Sequence, residues 1–303
     1  MTPVERVAPD ARAITLMLVL CVMWGFNQVA IKVAADGISL VMQACLRSSI
    51  AALLLFLWTR ACGIPLFDRD GTLRAGLVAG ALFAAEFGFI HAGLAYTSAA
   101  RMIVFVYLAP CLTALGLASL VPGERLRPLQ WIGVGVAFAG IVTAFGEGLF
   151  APQGGAGGAW VGDLFGVFGA ILWAMTTVQV RATKLSNARP AKTLFYQLAV
   201  AGAVLPFVSV ALGEPGVMRL SPTVVASMAY QGGLVAFASF LTWFWLLSRY
   251  KAAQLSVFSF LTPLFGVSFG VLFLGETVSG AFVAAALLVG AGIALVNLPV
   301  RAP

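Results

Sequence analysis

Three ionisable side chains interrupt long apolar runs of this sequence. Arg47, Glu86 and His91 each lie among apolar residues, and Glu86 is the only carboxylate well inside such a run. A charge in apolar surroundings must be paired or hydrated, so an Arg47–Glu86 ion pair, direct or through water, is expected. Glu86 is suited to binding an amino group or accepting a proton, and a histidine, with a reference pKa of about 6.5, can titrate at mildly acidic pH. Structural roles remain open: an ion pair that links two helices, and a hydrogen-bonded histidine.

The composition indicates which solvent surrounds these charges. The chain is 61% hydrophobic and only 10% charged, with a mean hydropathy of +1.01, whereas soluble domains are about 45–50% apolar and about 25% charged. A helix that crosses a bilayer needs about 20 apolar residues, and the chain offers ten such segments. The expected spans 1 to 10 cover residues 13–34, 38–60, 73–95, 99–121, 127–146, 162–181, 191–212, 222–248, 252–274 and 278–298.

The basic residues are distributed unevenly between the two ends of these spans. Of the 18 Lys and Arg residues, Lys32, Arg101 and Arg219 lie at one set of ends, Arg47 lies inside a span, and the others lie at the opposite ends. Because Lys and Arg accumulate in cytoplasmic loops, both termini are predicted to be cytoplasmic. The net charge of +7 has the same origin, and no nucleic-acid partner is expected, because the basic residues are scattered rather than clustered.

The two halves of the chain are similar in sequence. Residues 24–32, WGFNQVAIK, match residues 173–181, WAMTTVQVR, and residues 99–110, AARMIVFVYLAP, match residues 252–263, AAQLSVFSFLTP. Gly123-Glu124 then corresponds to Gly275-Glu276, with a shift of one residue. Since each half contains five spans, the second half must enter the membrane inverted. The prediction is an all-α integral membrane protein whose ten transmembrane helices form two inverted five-helix repeats, 13–146 and 162–298, with a substrate site near the bilayer midplane.

These motifs identify a family resemblance that covers nearly the whole chain. The W-G-x-N-x-x-x-x-K segment, the A-A-x-x-x-x-F-x-x-L-x-P segment and the following G-E resemble EamA-type members of the drug/metabolite transporter superfamily. The resemblance implies a secondary or facilitated transporter that exports small metabolites, chiefly amino acids, across the bacterial cytoplasmic membrane by alternating access. Two alternatives stay open: an antiporter of nucleotide-sugars or phosphorylated metabolites, which needs cationic residues in its cavity, and a membrane scaffold that transports nothing.

A central cavity is expected between spans 1, 3, 4, 6, 8 and 9. Trp24 and Trp173 lie in mid-span rather than at the membrane interface where Trp is common, so they are suited to stacking on a substrate. Polar residues of spans 1 and 6 either line a pathway or link helices, and Thr176 replaces Asn27 in the second repeat. The residues predicted to contact substrate are Trp24, Asn27, Glu86, His91, Tyr107, Trp173 and Thr176.

Two prolines and several small residues predict how the helices bend and pack. Pro110 in span 4 and Pro263 in span 9 permit kinks, which are either static or the bending elements of a gate. Spans 5 and 10 carry small residues at four-residue spacing, which favours close helix packing and allows oligomerisation through these spans. The small residues are Gly133, Gly135, Ala137, Ala139, Ala286, Gly290 and Ala294.

The motifs of common enzyme classes are absent from the sequence. It has no G-x-S-x-G elbow, no P-loop, and a single His, which excludes an H-E-x-x-H zinc site. The four cysteines show no paired or metal-binding spacing. No enzyme activity, cofactor or metal is expected, and the expected partners are a small-molecule substrate, such as an amino acid, and the lipid bilayer.

Overall fold

The structure is a computed structural model that describes residues 6–94, 96–97, 99–146, 159–274 and 280–298. Within these ranges, ten helices are long and apolar enough to cross a membrane, which confirms the predicted all-α, ten-helix membrane fold. The expected match Gly275-Glu276 and the glycine-rich stretch 153–158 lie outside the described residues. The helices are α1 Ala11–Ala35, α2 Leu40–Ala61, α3 Leu73–Gly93, α4 Arg101–Leu120, α5 Pro128–Phe145, α6 Trp160–Ala182, α7 Pro190–Ala211, α8 Pro222–Arg249, α9 Ala252–Phe273 and α10 Gly280–Asn297.

The helices α4 and α9 are interrupted at matching places. In α4 the α-helical geometry ends at Val106 and resumes at Ala109, just before Pro110. In α9 a 3₁₀ turn, Phe258–Phe260, precedes the segment that contains Pro263. Proline has no backbone N–H, so the carbonyl four residues earlier loses its helical partner. Both expected kinks therefore coincide with real interruptions, while bending during transport remains a prediction.

The main helix contacts of one half recur when each helix is exchanged with its counterpart in the other half. Helix α5 packs on α10 and α2 packs on α7. Helix α1 packs on α8 and α9, just as α6 packs on α3 and α4. Helix α3 also packs on α7, and α8 on α2. Large apolar side chains such as Leu53, Phe207 and Leu287 are exposed on the outside of the bundle, where lipid would cover them.

Loops from the two halves are joined at both ends of the bundle. We call the end that carries the α2–α3, α4–α5 and α6–α7 loops the basic end, and the other the opposite end. At the basic end, buried Lys192 Nζ lies 2.6 Å from Asp68 Oδ1 and 2.9 Å from Asp70 Oδ1. At the opposite end, the amides of Met218 and Arg219 donate to the Gly37 carbonyl at 2.8 and 3.0 Å. These contacts fix α2 against α7.

Glu214 holds the opposite end together by capping α2. Its carboxylate accepts hydrogen bonds from the amides of Val41 and Met42 at 3.0 and 3.2 Å. The hydroxyls of Ser39 and Ser209 donate to it at 2.8 and 2.7 Å. Partial burial alone would raise the pKa of Glu214, but these hydrogen bonds outweigh it and lower the pKa below its usual value. The charged form therefore stabilises the fold.

Replacing Glu214 with glutamine should destabilise the protein by about 1–2 kcal/mol at pH 7, since charge-assisted hydrogen bonds to a helix N-terminus are lost. A lowered pKa gives stability that is present above the unfolded value of about 4.3 and is lost as pH falls through the folded value. The difference in melting temperature between wild type and Glu214→Gln should thus shrink below about pH 4.3. Asp36→Asn, which changes an exposed carboxylate near the same loop, is the control. A gap that stays constant down to pH 3 would contradict this role.

The small residues of α5 and α10 serve two different surfaces. Gly133 and Gly140 of α5 face Gly292 and Val289 of α10 so closely that an added Cβ would lie within 3 Å of the partner helix. Gly290, in contrast, has open space around it, as have the exposed Ala286 and Ala294 on the same side of α10. One face of each helix is therefore used within the chain, and oligomerisation through the other face stays a prediction.

Candidate substrate site and a buried ion pair

Trp24 lies in an aromatic cluster between α1, α3 and α8. Its indole N–H donates to Ser239 Oγ at 2.9 Å, and its ring meets those of Phe240 and Trp243 edge-on, with centroids 6.3 and 6.0 Å apart. Phe240 in turn contacts Phe83 of α3, with centroids 6.2 Å apart. The predicted mid-span tryptophan therefore faces the interior of the bundle, and its indole N–H already has a hydrogen-bond acceptor. Its ring can then form part of the wall of the predicted substrate site.

This cluster continues to the two buried charges. Phe83 contacts Phe87, with centroids 4.9 Å apart, and the guanidinium of Arg47 lies 4.3 Å from the centroid of the Phe87 ring. Arg47 is 5% exposed and Glu86 is 7% exposed. Among the described residues, however, no salt bridge joins them, so the direct pair is not formed in this conformation. A water-mediated pair remains a prediction.

His91 is oriented by its own helix. Its Nδ1 lies 2.7 Å from the carbonyl oxygen of Phe87, and the two rings are tilted, with centroids 5.9 Å apart. This hydrogen bond within α3 accounts for the half-buried histidine as a structural residue, while it leaves Nε2 uncommitted. A role of His91 in substrate contact stays a prediction.

Tyr107 and Trp173 form a second aromatic cluster, between α4, α6 and α9. Their ring centroids are 6.0 Å apart in an edge-to-face arrangement. Phe260, directly before the second half of α9, completes the group at 6.4 Å from Tyr107. The cluster thus sits on both helix interruptions, so any movement at Pro110 or Pro263 would shift its rings.

The two polar positions that the repeat relates to each other are both buried. Asn27 is 6% exposed and its Oδ1 accepts no hydrogen bond. Thr176, also 6% exposed, donates to the Leu172 carbonyl of its own helix at 2.8 Å. Thr176 is therefore self-satisfied, whereas Asn27 has acceptor capacity for a substrate or for water.

A buried ion pair links the two halves of the chain at the basic end of the bundle. Arg181, at the end of α6, forms a salt bridge with Glu124 of the α4–α5 loop, and their side chains are 3% and 2% exposed. The other guanidinium nitrogen, Nη1, donates to the Leu247 carbonyl of α8 at 3.0 Å. The amides of Ala252 and Ala253, which begin α9, donate to the Glu124 carboxylate at 3.2 Å each. One carboxylate of the first half therefore contacts α6 and α9 of the second half directly, and is linked to α8 through Arg181.

Sequence reasoning missed this contact. In the sequence, Glu124 stands out only as part of the repeated G-E pair, and Arg181 only as a basic residue at a span end and as the last residue of the repeated segment 173–181. The usable signal was that both belong to repeated motifs, since Arg181 aligns with Lys32. A cavity of about 10 Å³ beside Arg181 has room for about one water molecule.

Comparison with known proteins identifies the family of this chain. The model of the EamA-like transporter family matches the chain twice, over residues 11–146 and 160–298. The chain belongs to the EamA-like transporter family. A solved crystal structure with 22% sequence identity superposes with a TM-score of 0.81 over 96% of this chain and 99% of that one, and it shows the same fold.

Curated relatives of this EamA-like transporter span almost its full length. A protein of Salmonella typhimurium named a probable amino-acid metabolite efflux pump is 25% identical over 92% of both chains. Its Escherichia coli namesake is 24% identical over the same shares. An uncharacterised transporter of Bacillus subtilis is 26% identical, over 97% of this chain and 94% of its own. The family and the fold are thus established, and the substrate is a separate question.

Proposed function

We propose that this EamA-like transporter exports small metabolites, chiefly amino acids, across the bacterial inner membrane by alternating access, as a secondary or facilitated carrier. Two relatives are named probable amino-acid metabolite efflux pumps. The observation that carries the proposal is the pair of buried, opposite and unbridged charges, Arg47 and Glu86, beside an aromatic wall. Such a site suits a small molecule that carries both charges.

The proposed architecture is a pair of inverted repeats, 13–146 and 162–298, with both termini in the cytoplasm. The double match of one family model and the exchange symmetry of the helix contacts support it. Inverted repeats allow one set of contacts to close either side of a central site in turn. In this arrangement the basic end faces the cytoplasm, and the Glu124–Arg181 pair closes it.

The test is uptake of labelled amino acids into proteoliposomes that contain the purified protein, with and without a pH gradient. Flux of at least one amino acid above protein-free vesicles is expected, and a dependence on the gradient would identify proton coupling. Flux of phosphorylated compounds or nucleotide-sugars instead would favour the antiporter alternative. No flux of any compound in a correctly inserted protein would favour a scaffold.

Replacing Glu86 with glutamine should reduce amino-acid transport at least about tenfold, because a charge-assisted hydrogen bond to an ammonium group, about 1.5–3 kcal/mol, would be lost. Asp36→Asn makes the same chemical change in an exposed loop carboxylate and should retain transport per inserted molecule. Both rates are measured in vesicles with matched protein content. Wild-type transport by Glu86→Gln would assign this carboxylate a structural role.

A further inference from the structure

We infer that Arg47 binds the carboxylate of the substrate while Glu86 binds its ammonium group, so that the site recognises zwitterions as a class. This inference rests on the proposed function, transport of amino acids, and adds the chemical basis of its selectivity. It makes Arg47 a substrate-binding residue rather than one half of an internal ion pair.

The first support is the unmet hydrogen-bonding capacity of Arg47. The side chain is 5% exposed, and its Nε and Nη2 atoms donate to no acceptor. An unpaired cation within a membrane costs at least about 2.5 kcal/mol, and unsatisfied buried donors add to that cost. The Phe87 ring, 4.3 Å from the guanidinium carbon, offsets part of it through a cation–π contact. Hydrogen bonds from Arg47 to an anion would offset the remaining free-energy cost of the buried cation.

The identity of the free donors indicates the shape of that anion. Nε–H and one N–H of Nη2 lie parallel on one edge of the planar guanidinium, at the spacing of the two oxygens of a carboxylate. This edge forms the bidentate arrangement that arginine uses to bind carboxylates. Both unpartnered atoms of Arg47 belong to this edge, so a carboxylate can satisfy them together.

The charge balance of the site favours a zwitterion over an anion such as a phosphorylated compound. Glu86 directly precedes Phe87, the residue against whose ring the Arg47 guanidinium lies, and together the two residues present one positive and one negative site. A phosphate group carries up to two negative charges and would leave an excess beside Glu86 where the dielectric constant is low. A zwitterion leaves none. The repeat counterpart of Glu86 is Ser239, and residues 196–200, the range that the two repeat offsets give for Arg47, contain no charged residue.

The test compares an amino acid with analogues that lack one charge. L-Phenylalanine, L-leucine and L-threonine are the labelled probes, and the amide and the decarboxylated amine of each are competitors in proteoliposomes. In wild type, both competitors should be at least about tenfold weaker than the amino acid, because each lacks the carboxylate and its bidentate contact. Arg47→Gln should raise KM at least about tenfold and remove this preference. Arg47→Lys keeps the charge but not the paired edge, and should be intermediate.

Each outcome decides between the inference and the function on which it rests. If wild type transports the probes but accepts amide and acid equally, the inference is wrong and the proposed function stands; this comparison needs no variant to fold. Retention of the preference for acid by Arg47→Gln also overturns it. If wild type carries none of the probes and glucose 6-phosphate instead, both are wrong.

Discussion

Replacing Glu124 with alanine should lower the free energy of unfolding by about 3–5 kcal/mol, the usual cost of removing one partner of a buried ion pair. Arg181 would keep its charge at 3% side-chain exposure without a carboxylate beside it. The amides of Ala252 and Ala253 would lose their acceptor at the same time. Thermal unfolding in detergent, followed by light scattering or intrinsic fluorescence, measures the loss.

Two sets of controls separate the ion pair from a general sensitivity of the loop. Arg125→Ala removes the next side chain, which is exposed, and should change the melting temperature little. The exchange Glu124→Arg with Arg181→Glu restores opposite charges but not the acceptor for the start of α9, so it should recover only part of the loss. A Glu124→Ala protein as stable as wild type would show that the pair adds nothing.

The position of this pair also explains why it suits a gate. Glu124 belongs to the first half, whereas Arg181, Leu247 and Ala252 belong to the second. Any opening of the basic end between the halves must break contacts to one carboxylate, and they must re-form on closing. A single anionic group that satisfies a cation and a helix N-terminus makes that step cooperative.

The positions of the helices could be predicted because they depend on residues that are close together in the sequence. Apolar runs of bilayer length predicted span 2 at 38–60, and the structure has Leu40–Ala61. Span 3 was expected to reach residue 95, whereas α3 ends at Gly93, an error of the size that fraying ends produce. Prolines likewise predicted the interruption near Pro110, because a missing N–H acts within one helical turn.

Contacts between distant side chains could be predicted only in part. The sequence places Arg47 and Glu86 in neighbouring spans, but whether their side chains meet depends on how α2 and α3 are rotated about their own axes. Span positions alone do not reveal that rotation. Ser239 was identified as the repeat counterpart of Glu86, yet its bond to Trp24 depends on how α8 packs on α1. The Glu124–Arg181 pair needs the same tertiary information, since each residue alone resembles an ordinary loop charge.

Replacing Gly292 with leucine should destabilise the bundle by about 1–3 kcal/mol or more, the usual cost of overpacking a close interface. A Cβ at this position would lie 2.5 Å from both the Ala137 amide nitrogen and the Gly133 carbonyl oxygen. These are backbone atoms that cannot rotate away, so α5 and α10 must separate.

Gly290→Leu provides the matched control, two residues away on the same helix. Nothing lies within 4 Å of a Cβ there, so leucine should point into lipid and gain up to about 1 kcal/mol of helix propensity over glycine. The melting temperature should therefore fall for Gly292→Leu and hold or rise for Gly290→Leu. A larger fall in melting temperature for Gly290→Leu than for Gly292→Leu would contradict this assignment of the two faces. It would instead favour packing of the Gly290 face of α10 against a second copy of the chain.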